Sequence, residues 1–246
     1  MKTFLPALLI GCAVGLMSCS RAYYAPNAQN VPLFTGVNDA RFTVAHNSGD
    51  NVSGAEVQTA FSPSENVGLM ANYYNVYARD RGEGEYIDIA GGYYYPMNNF
   101  IFEVYGGYGN GRTLNTFNGA GYLRNNFNKF YLQPVIGFSY KYLDIAASAR
   151  FAHISLYRIR AQFADAQEQN TNRLITTDIA AINNNRNSFV IEPALTIRYG
   201  WKYLKLQAQY TYSGFLAPVT YPAERRNLSI GLFFYLDEDW IYEDEE

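Results

Sequence analysis

The stretch FYLQPVIGFSYKYLDIAASARF, from Phe130 to Phe151, decides the fold because its side chains alternate between two faces. Every second residue from Phe130 to Tyr140 is mostly apolar, whereas the residues between them are smaller or more polar. The alternation resumes after a short turn and runs from Leu143 to Phe151. Because successive side chains of a strand point to opposite faces, this stretch predicts a hairpin with one apolar face and one polar face.

Eight other strands of the same kind can be marked, which gives ten strands in all. The predicted strands are Ala40–His46, Gly54–Phe61, Val67–Ala78, Tyr86–Tyr95, Phe100–Gly109, Phe130–Tyr140, Leu143–Tyr157, Phe189–Tyr199, Tyr203–Tyr212 and Leu228–Leu236. The predicted connections alternate between short turns (Pro63–Asn66, Pro96–Asn99, Lys141–Tyr142, Gly200–Lys202) and longer loops (Asn47–Ser53, Arg79–Glu85, Asn110–Lys129, Arg158–Ser188, Ser213–Asn227). Short periplasmic turns alternating with long outer loops are typical of outer-membrane barrels. We therefore predict an all-β, antiparallel transmembrane barrel of about ten strands, within a range of about 8–12, with both termini on the periplasmic side.

The apolar phase of these strands favours a membrane barrel over a soluble one. Leu, Ile and Phe recur on the same face of nearly every strand, and soluble proteins avoid such continuous apolar bands. The chain also holds 23 Tyr and 16 Phe, which suit the aromatic girdles of a barrel. The formal net charge of -3 indicates no nucleic-acid partner, which would need a basic patch.

The first twenty residues predict export. Residues 1–18 have a basic start and an apolar stretch, as a signal peptide does. The run Leu16-Met17-Ser18-Cys19 resembles the lipobox of bacterial lipoproteins, which implies cleavage before Cys19 and acylation there, with palmitate as the expected group. An ordinary cleaved signal with incidental cysteines is the alternative. After cleavage at Cys19 the chain would keep no second cysteine for a disulfide or a thiol site.

These readings divide the chain into four parts. They are a lipoprotein signal peptide (residues 1–18), an acylated N-terminal linker (19–37), the outer-membrane barrel (38–236) and an acidic C-terminal tail (237–246). Residues 19–37 are predicted to be a linker because Pro, Asn and Gly recur there without sustained apolar-polar alternation. Outer-membrane lipid is the expected partner of the barrel, of the acyl group, or of both.

Three short pieces resemble a group of small Bacteroidetes lipoproteins that are barrels of the outer membrane with undefined function. The matching pieces are Tyr24-x-Pro26, Asn30-x-Pro32-Leu33 and Asn66-x-Gly68-x-Met70-Ala71-Asn72-Tyr73. They cover less than a third of the chain and imply a family and not an activity. The residues after Cys19 lack the acidic pair of surface-exported lipoproteins of that phylum, which implies a tether on the periplasmic side. The last strand, with Ser229-x-Gly231-x-x-Phe234-x-Leu236, resembles the assembly signal of outer-membrane proteins.

The inward phase carries charges of both signs. The predicted lumen residues are Arg41, Glu56, Asp88, Glu103, Asp144, Arg150, Glu192, Arg198 and Lys205, together with Gln58, Gln133, Gln207 and Gln209. A barrel of about ten strands is narrow and largely filled by side chains, and a buried charge without a partner costs several kcal/mol. We therefore predict a paired network that plugs the lumen; a selective conductance path is the alternative.

Catalytic residue types are scarce. The chain has two histidines, and His153-x-Ser155 resembles the His-x-Ser of outer-membrane lipid A deacylases, in which the histidine activates the serine. Glu168 or Asp165 would then have to orient the histidine. A histidine and a serine at the membrane interface, without catalysis, are the other interpretation. No cofactor, metal site or nucleotide fingerprint is predicted.

Two further segments could bind partners. The polar loop Arg158–Ser188, with a short helix over Ala161–Gln169, is expected to be a solvated outer loop. The acidic tail interleaves Trp240 and Tyr242 with carboxylates and could dock a periplasmic partner. The sequence thus favours a non-enzymatic barrel lipoprotein that is an accessory or structural component of a larger envelope complex. The alternatives are a lipid A-modifying acyl hydrolase using His153 and Ser155, and a lipid-tethered, lipocalin-like carrier.

Overall fold

Strands dominate the computed structural model, which describes residues 21–78, 82–117, 121–163 and 169–236. The elements are β1 (Ala40–Ser48), β2 (Ser53–Ser64), β3 (Val67–Ala78), β4 (Gly82–Met97), β5 (Phe100–Phe117), β6 (Gly121–Tyr140), β7 (Leu143–Gln162), α1 (Gln169–Asn184), β8 (Asn187–Gly200), β9 (Leu204–Tyr212), β10 (Gly214–Phe215) and β11 (Arg226–Leu236).

The antiparallel sheet closes on itself through β1. Val44 of β1 lies opposite Val57 of β2 on one side and Leu232 of β11 on the other. β11 then pairs with β9, and β9 pairs with β8, which completes a ring of ten strands. The two-residue β10 adds to β8 at the rim of this ring. The predicted all-β, antiparallel transmembrane barrel of about ten strands is confirmed.

All four short turns lie at one end of the barrel. Asn66, Asn98 and Lys141 adopt positive φ angles of 66°, 56° and 48° there. Left-handed residues are what tight hairpin turns require, and Asn tolerates them better than most residues. We call this end the short-turn end and the opposite end the long-loop end.

The strands on one side of the barrel are longer than the sequence predicted. β5 and β6 remain paired to Phe117 and Gly121, so most of the predicted Asn110–Lys129 loop continues the same hairpin. β4 begins at Gly82 and β7 extends to Gln162. The prediction missed these extensions because both faces of the strands are polar there, for example at Arg112 and Asn115, and no apolar alternation remains.

The outside of the barrel is apolar over a band of membrane height. Each strand of the ring exposes a large aliphatic side chain to it: Val44, Val57, Leu69, Ile89, Val104, Leu132, Ile145, Leu195, Leu206 and Leu232. Exposed aromatic rings flank the band, for example Tyr95, Tyr140 and Tyr199 toward the short-turn end and Tyr73, Phe130 and Phe189 toward the long-loop end. Apolar bands between aromatic girdles are the outer surface of transmembrane barrels.

A helix covers part of the long-loop end. α1 buries Ile175 and Ile182 in an apolar cluster that includes Leu156 and Tyr221. The predicted helix at Ala161–Gln169 is therefore wrong in position, since β7 includes Ala161 and the helix begins at Gln169. The prediction of a solvated loop over Arg158–Ser188 is also wrong for residues 169–184, because this helix packs against the barrel rim. Among the described residues no helix has the length and apolar character needed to cross a membrane.

We expect an arginine in the middle of the outer band to destabilise the barrel. Ile89 is 64% exposed on β4, and Ile89→Arg should lower the free energy of unfolding by about 2–4 kcal/mol, since the charge would face lipid. Asn75 is exposed on the outer face of β3 but lies beyond the apolar band. Asn75→Arg should therefore lower the free energy of unfolding by less than about 1 kcal/mol. Urea unfolding in lipid vesicles measures both, and equal losses would contradict a lipid-facing band.

Candidate functional site

Residues 21–34, which we call the plug segment, run through the barrel lumen from the long-loop end to the short-turn end. At its start, Arg21 pairs with Asp178 of α1 at 2.7 Å. At its end, the Phe34 amide donates to Glu103 of β5 at 3.0 Å. From residue 23 to residue 34 every side chain but that of Ala25 is buried. The segment has no regular secondary structure, so its polar groups bond to the barrel wall instead.

At the long-loop end the plug segment is held by the loops and by α1. Ala22 exchanges two hydrogen bonds with the Asn115 side chain, its amide donating at 3.1 Å and its carbonyl accepting at 3.0 Å. The Tyr23 hydroxyl donates to Asp178 at 2.6 Å. The Tyr23 amide donates to the Pro222 carbonyl at 2.9 Å. The end of β5, the helix α1 and the loop before β11 therefore all contact the first residues of the segment.

Deeper in the lumen, Tyr24 joins a buried charge cluster. The Lys129 ammonium donates to Glu192 at 2.7 Å and to the Tyr24 hydroxyl at 2.7 Å. The Tyr24 hydroxyl in turn donates to the other oxygen of Glu192. The guanidinium of Arg150 lies 3.7 Å from the same carboxylate. Two cations thus share one carboxylate, and the plug segment supplies the hydroxyl that completes the arrangement.

Asn27 is the next contact and bridges opposite charges of the wall. Its side-chain oxygen accepts from Arg150 at 2.8 Å, and its side-chain nitrogen donates to Glu56 at 2.9 Å. The Ala28 amide donates to the second oxygen of Glu56 at 3.0 Å. Glu56 has no cationic partner among the described ion pairs, so these neutral donors stabilise its charge.

The middle of the plug segment is bonded through its backbone to glutamine side chains. Gln209 accepts from the Gln29 amide at 2.6 Å and donates to the Gln29 carbonyl at 2.9 Å. Gln133 donates to the Asn30 carbonyl at 2.7 Å, and the Asn30 side chain donates to Asn72 at 2.8 Å. Paired donor and acceptor groups of this kind recognise an extended backbone much as a neighbouring strand would.

Toward the short-turn end, arginines bind the carbonyl groups of the segment. Arg198 donates to the Val31 carbonyl at 2.6 Å, and Arg41 donates to the Pro32 carbonyl at 3.2 Å. Val31 also packs in a small apolar cluster with Leu33, Ile101, Val135 and Ala146. The segment is thus held by charge-assisted hydrogen bonds and by apolar burial within the same few residues.

Two wall glycines make room for the segment. A Cβ at Gly137 would lie 2.2 Å from a methyl group of Leu33, and a Cβ at Gly68 would lie 2.8 Å from the ring of Phe34. These positions face the lumen, where a larger side chain would displace the segment. The wall is therefore shaped to this particular sequence, in the manner of a close-packed interior.

The sequence-derived lumen residues all occupy the interior. All nine side chains are buried: Arg41, Glu56, Asp88, Glu103, Asp144, Arg150, Glu192, Arg198 and Lys205. Lys205 and Asp144 pair with each other at 2.7 Å, without the plug segment. Lys129 is a further charged residue that contacts the plug segment, and the sequence analysis missed it because it placed Lys129 in a loop. Its inward position follows once β6 is extended by nine residues.

The plug segment also corrects the interpretation of residues 19–37. The absence of alternation predicts a linker, but residues 23–34 are buried in the lumen with the exception of Ala25. Because the segment crosses the lumen, Arg21 lies at the long-loop end, whereas Leu236 lies at the short-turn end. The prediction that both termini share the short-turn side is therefore wrong for the first described residues.

The other candidate residues are not brought into one site. His153 and Ser155 lie two residues apart on the outer face of β7, and the His153 ring contacts Phe189 with centroids 4.9 Å apart. No acidic side chain hydrogen-bonds to His153 in the described part of the chain, and Asp165 and Glu168 lie outside it. Cys19, Trp240 and Tyr242 also lie outside the described residues. Where the chain is described, no cluster of His, Cys, Asp and Glu is arranged to hold a metal.

Comparisons with known proteins give only distant structural similarities. No family model matches the chain, and no curated protein matches it. Among solved structures, the translocator domain of the autotransporter NalP from Neisseria meningitidis has a TM-score of 0.44 at 10% identity, covering 82% of this chain and 88% of that one. The KdgM porin has a TM-score of 0.37 at 10% identity (80% and 99%), and the N-terminal β-barrel domain of Pseudomonas aeruginosa OprF has 0.33 at 10% (82% and 100%). Similarity at this level assigns neither a family nor an activity.

We expect Glu192→Leu alone to destabilise the protein strongly, because it leaves Lys129 and Arg150 buried beside each other. Loss of one partner of a buried ion pair costs about 3–5 kcal/mol. The double variant Glu192→Leu/Lys129→Met removes the pair and should recover much of that loss. Urea unfolding in detergent micelles measures both variants, and a double variant no more stable than Glu192→Leu would contradict the cluster.

We expect the free energy of unfolding to depend on pH through Glu224, which connects the β10–β11 loop to the β1–β2 loop at the long-loop end. Its carboxylate accepts from the amides of Asp50 and Asn51 at 3.1 and 3.0 Å. Burial raises the pKa of Glu224 above its ordinary 4.5. Between the pKa of the unfolded chain and that of the folded protein, the folded protein keeps a proton that the unfolded chain has lost. The free energy of unfolding therefore falls as the pH rises through this interval.

Glu224→Gln mimics the protonated carboxyl and should remove this part of the dependence. Relative to Glu224→Gln, the free energy of unfolding of the wild type should fall as the pH rises from about 4 to about 8. Urea titrations at several pH values provide the measurement, with the exposed Glu65→Gln as the control. A difference that stays constant or grows with pH would show that the pKa is not raised.

Proposed function

We propose that this chain is a sealed, non-enzymatic barrel of the outer membrane whose own N-terminal segment is its permanent plug. The observation that carries the proposal is the plug segment itself, bonded to the wall along its whole length from Asp178 to Glu103. Fourteen extended residues span at most about 50 Å, enough to traverse a membrane band of about 25 Å. A lumen filled in this way leaves no path for permeation in this proposal. The cavity beside the segment, lined by Ala22, Ala25, Tyr74 and Phe127, holds about 30 Å³, which is too little for the ligand of a lipocalin-like carrier.

The plug segment is suited to a permanent role and not to gating. Between Arg21 and Asp39 the chain carries no charged residue, yet it is surrounded by charged wall residues. Release of the segment would leave Glu56 and Arg150 without the amide group of Asn27 that joins them. Such a loss costs about 1–3 kcal/mol for each buried group, and many groups would be exposed at once. The sealed state is therefore the functional one in this proposal.

The proposal includes an orientation in which Arg21 lies outside the cell. Outer-membrane barrels keep short turns in the periplasm and long loops outside, and Arg21 lies at the long-loop end. Cys19 precedes Arg21 by two residues, which is about 7 Å of chain. An acyl group on Cys19 would therefore emerge at the outer face, and not in the periplasmic leaflet that the sequence analysis proposed.

An accessory or structural role in an envelope complex agrees with this arrangement. A sealed barrel provides surfaces for contact with other proteins and no path for solutes. At the long-loop end it offers exposed apolar side chains, such as Leu174 on α1, as a surface for a partner protein. The acidic tail with Trp240 and Tyr242 remains the second proposed docking segment, on the opposite side of the membrane.

The test of sealing is an electrical measurement. In planar lipid bilayers the full chain should show no steady conductance, and a variant lacking residues 21–34 should conduct, because its polar lumen would fill with water. Heat-modifiable migration in gels serves as the check that the deletion variant forms a barrel. Steady conductance by the full chain, or none through a folded deletion variant, would contradict the proposal.

A second measurement keeps the test decisive if the deletion variant fails to fold. In a Cys19→Ser background, Ala28→Cys places a thiol at a position that is 1% exposed within the lumen. A water-soluble thiol reagent should label it only after unfolding, whereas it should label the exposed control Asp50→Cys at once. Equal labelling rates in the folded protein would show that the segment leaves the lumen.

A further inference from the structure

The outer face of the β6–β7 hairpin changes from apolar to polar to cationic along one line. Toward the long-loop end, the outward residues of β6 are Leu132, Phe130, Asn128, Asn126 and Arg124. Their outward register partners on β7 are Phe151, His153, Ser155, Tyr157 and Arg160. The two strands therefore present three tiers of matching chemistry, side by side, just where the barrel leaves the membrane.

The lowest tier contains a groove in the apolar surface. It has a volume of about 570 Å³ and is lined by Phe130, Phe151, His153, Phe189 and Leu216, with Gly106 on its floor. A Cβ added at Gly106 would meet nothing within 4 Å, so the absence of a side chain leaves this space open. An apolar groove between aromatic ridges at the membrane surface is suited to an acyl chain.

The top tier is a cluster of three arginines. Arg124 and Arg160 lie directly opposite each other in the ladder, an arrangement that costs free energy when both residues carry the same charge. Between Arg160 and Tyr157 the register shifts, and Arg158 adopts a positive φ of 49° at this bulge. All three side chains are exposed, and none takes part in an ion pair with another described residue.

The contrast with a neighbouring arginine shows that this cluster is unusual. Arg112, on the outer face of β5, pairs with Glu85 at 2.9 Å. Arg124, Arg158 and Arg160 form no such ion pair in the described part of the chain, although Arg124 lines a cavity with Glu83 and Glu85. Arginines at neighbouring positions attract phosphate groups, which they bind in bidentate fashion. A bulge that re-aims side chains is a recurrent feature of binding sites on sheets.

The middle tier is already ordered by hydrogen bonds. Asn110 of β5 donates to the Asn128 side chain at 2.7 Å and to the Tyr157 hydroxyl at 2.7 Å. These amides and hydroxyls lie between the groove and the arginines. They match the ester and sugar hydroxyl groups that separate the acyl chains of a glycolipid from its phosphates.

The arginines lie above the ester level of the outer leaflet. A strand tilted by about 40° rises roughly 2.5 Å per residue along the membrane normal, so Arg124 lies about 15 Å beyond Phe130. The headgroup layer of a phospholipid is only about 5–8 Å thick in each leaflet. The arginine side chains can bend back toward phosphates of the headgroup layer, and three arginines match a headgroup that carries more than one phosphate.

We propose that the outer face of β6 and β7 binds a phosphorylated glycolipid of the outer leaflet, of the lipid A class. Its phosphates contact Arg124, Arg158 and Arg160, and one of its acyl chains occupies the groove over Gly106. This inference rests on the proposed orientation, with the long-loop end outside. It does not depend on whether the lumen is sealed.

Native mass spectrometry of the full-length protein, released from detergent micelles with added lipids, tests the proposal. The probes are bisphosphorylated lipid A, the same lipid without phosphates, and phosphatidylglycerol. One molecule of bisphosphorylated lipid A should remain bound, with at least tenfold weaker binding of the other two. Equal binding of phosphatidylglycerol, equal binding of the dephosphorylated lipid, or no binding at all would overturn the proposal.

Variants locate the site. Arg124→Gln/Arg158→Gln/Arg160→Gln should weaken lipid A binding at least tenfold. The control Arg173→Gln/Arg186→Gln/Arg225→Gln removes the same charge from exposed positions at the same end and should retain binding. Similar losses in both triple variants would mean that the attraction is general electrostatics and would overturn the site.

A substitution in the groove tests the acyl-chain contact separately. Gly106→Leu adds a side chain where there is open space, so the barrel should fold and migrate as the wild type does. We expect it to weaken lipid A binding severalfold while leaving the three arginines in place. Unchanged binding would remove the groove from the site. The conductance measurement is unaffected by any of these outcomes, so the two proposals can fail independently.

Discussion

Every polar group that faces the lumen of a narrow barrel must find a partner, because the interior is too small to hold bulk water. In this protein many of the partners come from the plug segment. Asn27 stands between the guanidinium of Arg150 and the carboxylate of Glu56, and Tyr24 completes the cluster of Lys129 and Glu192. This requirement accounts for the positions of the wall charges, for the glycines opposite Leu33 and Phe34, and for the filled lumen.

The path of the segment reverses the simple topology of an even-stranded barrel. Ten strands alone return the chain to the end at which β1 began, so both ends of the barrel domain lie at the short turns. The plug segment precedes β1 and crosses the lumen once more, which carries Arg21 to the long-loop end. In the proposed function, a single extended segment thus decides both the permeability of the barrel and the side of the membrane on which Arg21 lies.

The parts of the structure that the sequence could predict are those with a period. Alternation identified all ten strands because lipid faces one side of each strand over the whole band. Alternation did not identify the strand ends where neither face of the strand contacts lipid. The sequence therefore predicted loops at the ends of β5, β6 and β7. Alternation also failed for the plug segment, whose burial depends on wall residues more than a hundred positions away, such as Gln209. One signal was present, however, since residues 22–38 contain no charge, which is unusual for a solvated linker.

The most direct test of the threaded topology is to locate two inserted epitopes on intact cells. One epitope lies between Ser20 and Arg21, and the other lies in the β6–β7 turn between Lys141 and Tyr142. The structure predicts that antibody binds the first on intact cells and the second only after the outer membrane is permeabilised. Detection of both epitopes on the same face would show that the segment does not cross the lumen and would contradict the account.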